Sequence, residues 1–112
     1  MSEQDQSAVK AAEVKQLVDL LQYQDSSIVS RVLLKNKGGT VTLFAFDAGE
    51  GLSEHTAPFD ALVVVTDGEA EVEIAGESFR VRQGETIILP AHRPHAVKAT
   101  TKFKMLLIMI RA

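Results

Sequence analysis

An all-β barrel or sandwich is the fold class this sequence predicts, and three features predict it. From Ile28 onward, short runs rich in branched and aromatic residues follow one another at close spacing. Glycine or proline stands at many of the breaks between them. Glu69 to Ala75 alternates, with Ala70, Val72 and Ile74 facing one way and Glu69, Glu71 and Glu73 the other. That period of two marks a half-buried strand with a solvated acidic face.

The elements follow in order. Residues 1–6 are polar and acidic and read as a loose tail, leaving 7–112 as one domain. Ser7 is placed to cap a short helix over 8–21, where Val14, Leu17, Val18 and Leu21 share a face. Leu17 to Tyr23 reads equally well as an extra strand. Ile28 to Lys35 is a strand stopped by Asn36-Lys37-Gly38-Gly39, and Thr40 to Asp47 is the next. Leu62 to Thr66 leads into Asp67-Gly68, a two-residue hairpin signal in which both central positions accept positive φ. Strands over Ser78–Arg82 and Thr86–Leu89 flank the turn Gln83-Gly84-Glu85. Pro90 to Pro94 is a stiff bend, and His95–Ala99 and Phe103–Ile110 close the chain.

Composition narrows the function classes. The chain has 112 residues, enough for one ordinary core, with 46% hydrophobic and 24% charged residues, as in globular domains. No cysteine is present, which excludes disulfides, thiolate nucleophiles and Cys-ligated zinc. Net charge is −3 and no run of Lys and Arg occurs, which argues against a nucleic-acid partner. The longest apolar run, Met105 to Ile110, is far below the ~20 residues that span a bilayer, and the start lacks a signal-peptide pattern. The cytoplasm is the expected location, with no membrane partner. No Gly-rich phosphate loop or nucleophile elbow appears.

Two segments carry histidines in a recognisable frame. Gly49, five intervening residues, His55 and a closing Gly68 form the first. Gly84, five intervening residues, Pro90, His92 and then His95 form the second. Together they resemble the paired motifs of the cupin family, and the intermotif stretch 69–83 is short, as in small single-domain cupins. The resemblance implies a double-stranded β-helix, or jelly roll, with a short N-terminal helix or extra strand. It also implies a pocket inside the barrel and, in the family, a metal held by two His and a Glu from the first motif and one His from the second.

The ligand set is depleted here. Ala57 stands at the second His position, Ala61 at the Glu position and Ala99 at the second motif's Asn position. Only His55 and His95 remain of the four family ligands. His92, three residues before His95 across a bend, is the candidate third ligand. Strand alternation puts Ala57, Phe59 and Ala61 on the face of His55, unless Pro58 shifts the register. The expected pocket is therefore His55, Ala57, Phe59, Ala61 and His95. Asp60 falls on the opposite face and suits a turn cap contacting backbone amides.

Three functions compete. The first is a small-molecule-binding cupin with a reduced or absent metal site, because lost ligands leave an apolar cavity with few polar groups. The second is a metal-dependent dioxygenase- or isomerase-like enzyme using Fe, Mn, Ni or Zn on His55, His95 and a third ligand such as His92. The third is a sensor or structural dimer acting through a partner. A homodimer is expected on the family resemblance, with Ile28 to Leu34 as the edge that needs cover.

Overall fold

The computed structural model describes residues 9–111, so the tail over 1–6 and the cap at Ser7 lie outside it. Among the described residues, nine strands form two antiparallel sheets. The five-stranded sheet runs β1 (Ile28–Asn36), β2 (Gly39–Phe46), β9 (Phe103–Ile110), β4 (Ala61–Asp67), β7 (Thr86–Leu89). The four-stranded sheet runs β3 (Gly51–His55), β8 (His95–Lys98), β5 (Glu69–Ile74), β6 (Glu77–Arg82). Consecutive strands β2 to β5 and β7 to β9 alternate between the sheets, as the jelly-roll expectation requires.

The two glycine signals near the middle have different roles. Asp67-Gly68 does not make a hairpin: β4 pairs with β7 and β9, whereas β5 pairs with β6 and β8. The dipeptide instead turns the corner from one sheet to the other. Gly68 has φ +71, and a Cβ there would stand 2.4 Å from the Lys102 carbonyl oxygen. The two-residue hairpin lies one strand later. Ala75 (φ 50) and Gly76 (φ 85) join β5 to β6, with Ile74 opposite Glu77, the positive φ pair of a type I′ turn.

Side-chain alternation sorts the five-stranded sheet into two faces. Phe44, Phe46, Ala61, Val63, Val65, Phe103 and Met105 face inward and pack on Ala70, Val72, Ile74, Val81 and Val97 of the other sheet. Phe46 and Phe103 are opposite one another in register and stack at 4.6 Å, both fully buried. Further along the same face, Leu107 and Met109 are only partly buried. The barrel is thus plugged at the Phe46–Phe103 end and opens towards Met109. The links 56–60 and 90–94 tie that open end to His55 and His95.

Over its described residues, 9–27, the N-terminal segment forms neither the expected helix over 8–21 nor a strand over 17–23. It contains a single 3₁₀ turn, Leu17–Asp19. Ala12 at φ 63 breaks helical geometry, and Val14 is fully exposed. A lone helix of that length is marginal in water, so tertiary contacts decide the conformation. Leu17, Leu20, Leu21 and Tyr23 lie as a strap on the outer face of the five-stranded sheet, against Leu33, Leu43, Ala45 and Leu106. Lys104, 6% exposed, donates from Nζ to the carbonyls of Val18 (3.1 Å) and Leu21 (2.7 Å). Those carbonyls therefore serve the lysine instead of a helical ladder. Tyr23 donates its hydroxyl to Asp67 at 2.6 Å, and Lys102 and Lys104 approach its ring at 5.0 and 5.1 Å.

Candidate functional site

The two histidines of the motifs meet. β3 pairs with β8 so that His55 lies directly opposite His95, after a register shift between Leu52 and His55. Their Nε2 atoms are 3.2 Å apart, and the rings meet edge to face, with centroids at 4.4 Å. His95 is buried, with 6% exposure. His55 is exposed at the rim.

Backbone carbonyls set the ring chemistry. His55 Nδ1 lies 2.8 Å from the Ser53 carbonyl, and His95 Nδ1 lies 3.3 Å from that of Arg93. A carbonyl only accepts, so each Nδ1 in these bonds carries the proton. In the neutral rings both Nε2 atoms then present lone pairs to each other. The pair can relieve that contact by itself, by taking up one proton between the rings or by either ring leaving its carbonyl and donating from Nε2. Burial, and then the charge of a protonated His55, hold the His95 pKa below the ordinary histidine value, against the opposing effect of the Arg93 carbonyl.

The other expected site residues are spread more widely. The chain leaves β3 at His55, and residues 56–60 contain no strand, so a single alternation does not run from His55 to Ala61. Ala61 is buried on the inner face of β4, at the open end. Ala57 is half-buried and its carbonyl accepts from the His92 amide at 2.7 Å. Phe59 is also half-buried and lines a concavity of about 290 Å³ with Pro58, Asp60, Ala91 and Ile110. Asp60 accepts the Ala91 amide at 2.8 Å, so its carboxylate contacts a backbone amide as expected but ties the link 56–60 to the link 90–94 instead of capping its own turn. His92 is exposed on the bend with φ 65.

Alternation along β2 adds a residue that motif spacing does not show. Thr40 shares the inner face with Phe44 and Phe46, in a cross-strand row that continues through Met109, Ala61 and Leu89. Its hydroxyl oxygen is buried without a hydrogen-bond partner among the described residues.

A two-sheet jelly roll with one histidine from each motif paired at its open end defines the class. The cupin domain family matches residues 42–111, and the chain belongs to the cupin family. It is a small cupin domain protein. SPY1581, a conserved protein of unknown function from Streptococcus pyogenes, is 33% identical and has a TM-score of 0.89, over 95% of this chain and 93% of its own. The cupin 2 conserved barrel domain protein of Leptotrichia buccalis is 44% identical at a TM-score of 0.82, over 85% of this chain but 46% of its own. A cupin superfamily protein from Desulfitobacterium hafniense shares the fold at a TM-score of 0.88 and 24% identity, over 96% of this chain and 99% of its own. No functionally curated protein matches the sequence.

Cupins often bind metals, so the donor set needs testing against one. An Nε2 separation of 3.2 Å suits two neighbouring ligands at about 2.0–2.1 Å from one ion. The remaining positions have no such support. Among the described residues, no group of three or more His, Cys, Asp or Glu side chains converges where a metal could be held. The family's four-ligand centre is therefore not what these residues build.

Proposed function

We propose that this chain is a small-molecule-binding cupin whose site is the open barrel end beneath His55 and His95. The paired Nε2 atoms at 3.2 Å carry the reading. With both Nδ1 protons on backbone carbonyls they offer acceptors to a ligand's donor, at the end of the barrel where the inner-face residues Ala61, Leu107 and Met109 lie. An apolar wall with few convergent polar groups is the usual make-up of a binding pocket. The histidines would hold the ligand's O–H or N–H, and the wall would take its apolar part.

Metal loading tests this reading against a metal-dependent dioxygenase or isomerase. Protein prepared without a polyhistidine tag is dialysed with Fe, Mn, Ni or Zn and then against buffer. Binding through two imidazoles should leave well under one equivalent. One equivalent tightly held, and lost in His95→Ala, would establish the metal enzyme instead.

We also infer that the chain forms a homodimer. Ile88, Leu62, Ile108, Val41 and Leu34 lie in one register row across all five strands of the outer face. Beyond the strap this row is open: Ile88 is 57%, Leu34 55% and nearby Ile110 64% exposed. A second copy turned by a two-fold rotation about Ile108 would match the row against itself. β1 is an edge strand as expected, but only its Leu34 end joins this row, because Ile28 packs on the inner core and Val29 and Leu33 lie under the strap. Sedimentation should give the mass of two chains for the native protein and one for Ile108→Asp; a single-chain mass for both would refute the dimer.

A further inference from the structure

We infer that Thr40 is a ligand-contacting residue which selects a small, largely apolar molecule carrying an oxygen function on the side that faces β2. This rests on the small-molecule reading above and adds the second polar pole of the same site. The Thr40 Oγ1 is buried and has no partner. Leaving a buried hydroxyl unpaired is costly, and native proteins rarely do so unless water or a ligand completes it.

The register shows which way it faces. Thr40 lies in the row Thr40–Met109–Ala61–Leu89, whose Ala61 and Leu89 belong to the inner core and whose Met109 packs against it. The opposing sheet brings the histidines to the same quarter of the barrel. Between the sheets, β5 comes closest to β9, and β6 to β4 and β7. The strand orders then set β8 and β3 over β2 and β1. His55 and His95 lie at the ends of β3 and β8 nearest the links 56–60 and 90–94, the end occupied by Ala61 and Leu89. Thr40 and the histidine pair therefore serve one mouth from its two walls, with Met109 and Leu107 between the polar poles. A hydroxyl both donates and accepts, so Thr40 suits an alcohol or carbonyl oxygen, and a hydrocarbon end would leave it unpaired.

Matched probes test this. Cyclopentanol and cyclopentane are titrated into wild type, Thr40→Val and Thr40→Ser, following the NMR signals of the Met109 methyl and the His95 ring. Cyclopentanol should move both signals in wild type and bind at least fivefold more weakly to Thr40→Val, with Thr40→Ser retaining its affinity. Cyclopentane should bind wild type and Thr40→Val within twofold of each other. Thr40→Val should melt at or above the wild-type temperature, since it removes an unpaired hydroxyl. Equal cyclopentanol binding by wild type and Thr40→Val would overturn the role of Thr40 and leave the small-molecule reading standing. A clearly lower melting temperature for Thr40→Val would also overturn it, by showing a structural bond. If neither probe moves Met109 or His95 in any variant, the small-molecule reading itself fails and takes this inference with it.

Discussion

Replacing Phe103 with Ala should lower stability by about 3–5 kcal/mol, seen as a reduced urea midpoint at unchanged slope. Phe103 has no exposed surface and stacks on Phe46 at 4.6 Å, with the ring planes 8° apart. It lies on β9, which is bonded to both β2 and β4, and its Cβ sits against the Gly68 corner. The cavity left by truncation is therefore bounded on several sides by paired strands and has little freedom to collapse. Phe103→Leu keeps most of the volume and should cost about 1–1.5 kcal/mol. Against a total stability of about 5–15 kcal/mol for a domain, the alanine variant is close to unfolding. A loss below about 1 kcal/mol for Phe103→Ala would contradict the plugged end of the barrel.

Replacing Lys104 with Met should release the strap while the barrel stays folded. Methionine keeps the apolar stem but removes the ammonium from the Val18 and Leu21 carbonyls, which lie 3.1 and 2.7 Å away. Each charge-assisted bond contributes about 1.5–3 kcal/mol, and the lost partner leaves carbonyls unpaired near the buried Leu21. A loss of about 2–4 kcal/mol is expected after the stem's retained packing is allowed for. Hydrogen exchange locates the damage: the amides of Asp19 and Leu20, bonded to the Gln16 and Leu17 carbonyls, should speed up, while those of Val63, Val72 and Phe103 keep their protection. Uniform acceleration throughout the barrel, or none anywhere, would show that the strap is not a separate unit.

The sequence made the strands legible where a local rule governs them. Alternation over Glu69–Ile74 survives as alternating half-buried and buried positions, because one face packs and the other meets water. His55 and His95, the two histidines that the motif spacing singles out, lie in contact although they are forty residues apart. Local rules failed where a partner from elsewhere decides. Asp67-Gly68 has hairpin chemistry, yet a turn cannot say which sheet receives the next strand. The alternation assumed from His55 to Ala61 breaks in the link 56–60, and Pro58 was the warning. Lys104 stands between Phe103 and the apolar run after it, and reads as a solvated residue until the strap covers it. Thr40 reads as an ordinary strand threonine; that Phe44 and Phe46 pack inward and that Met109 lies opposite show the face its side chain takes.

The strap also makes the protein its own optical reporter. Tyr23 is the single tyrosine, and there is no tryptophan. All tyrosine absorption and emission therefore comes from one ring, held between two lysines and bonded to the Asp67 carboxylate. Its phenol is kept above the ordinary tyrosine pKa, first by burial and then by the bond to Asp67 and its charge. Emission should brighten when that carboxylate lets go. The signal follows the strap's bond to Asp67, so an optical melt that precedes the backbone melt on one sample separates release of the outer layer from unfolding of the barrel.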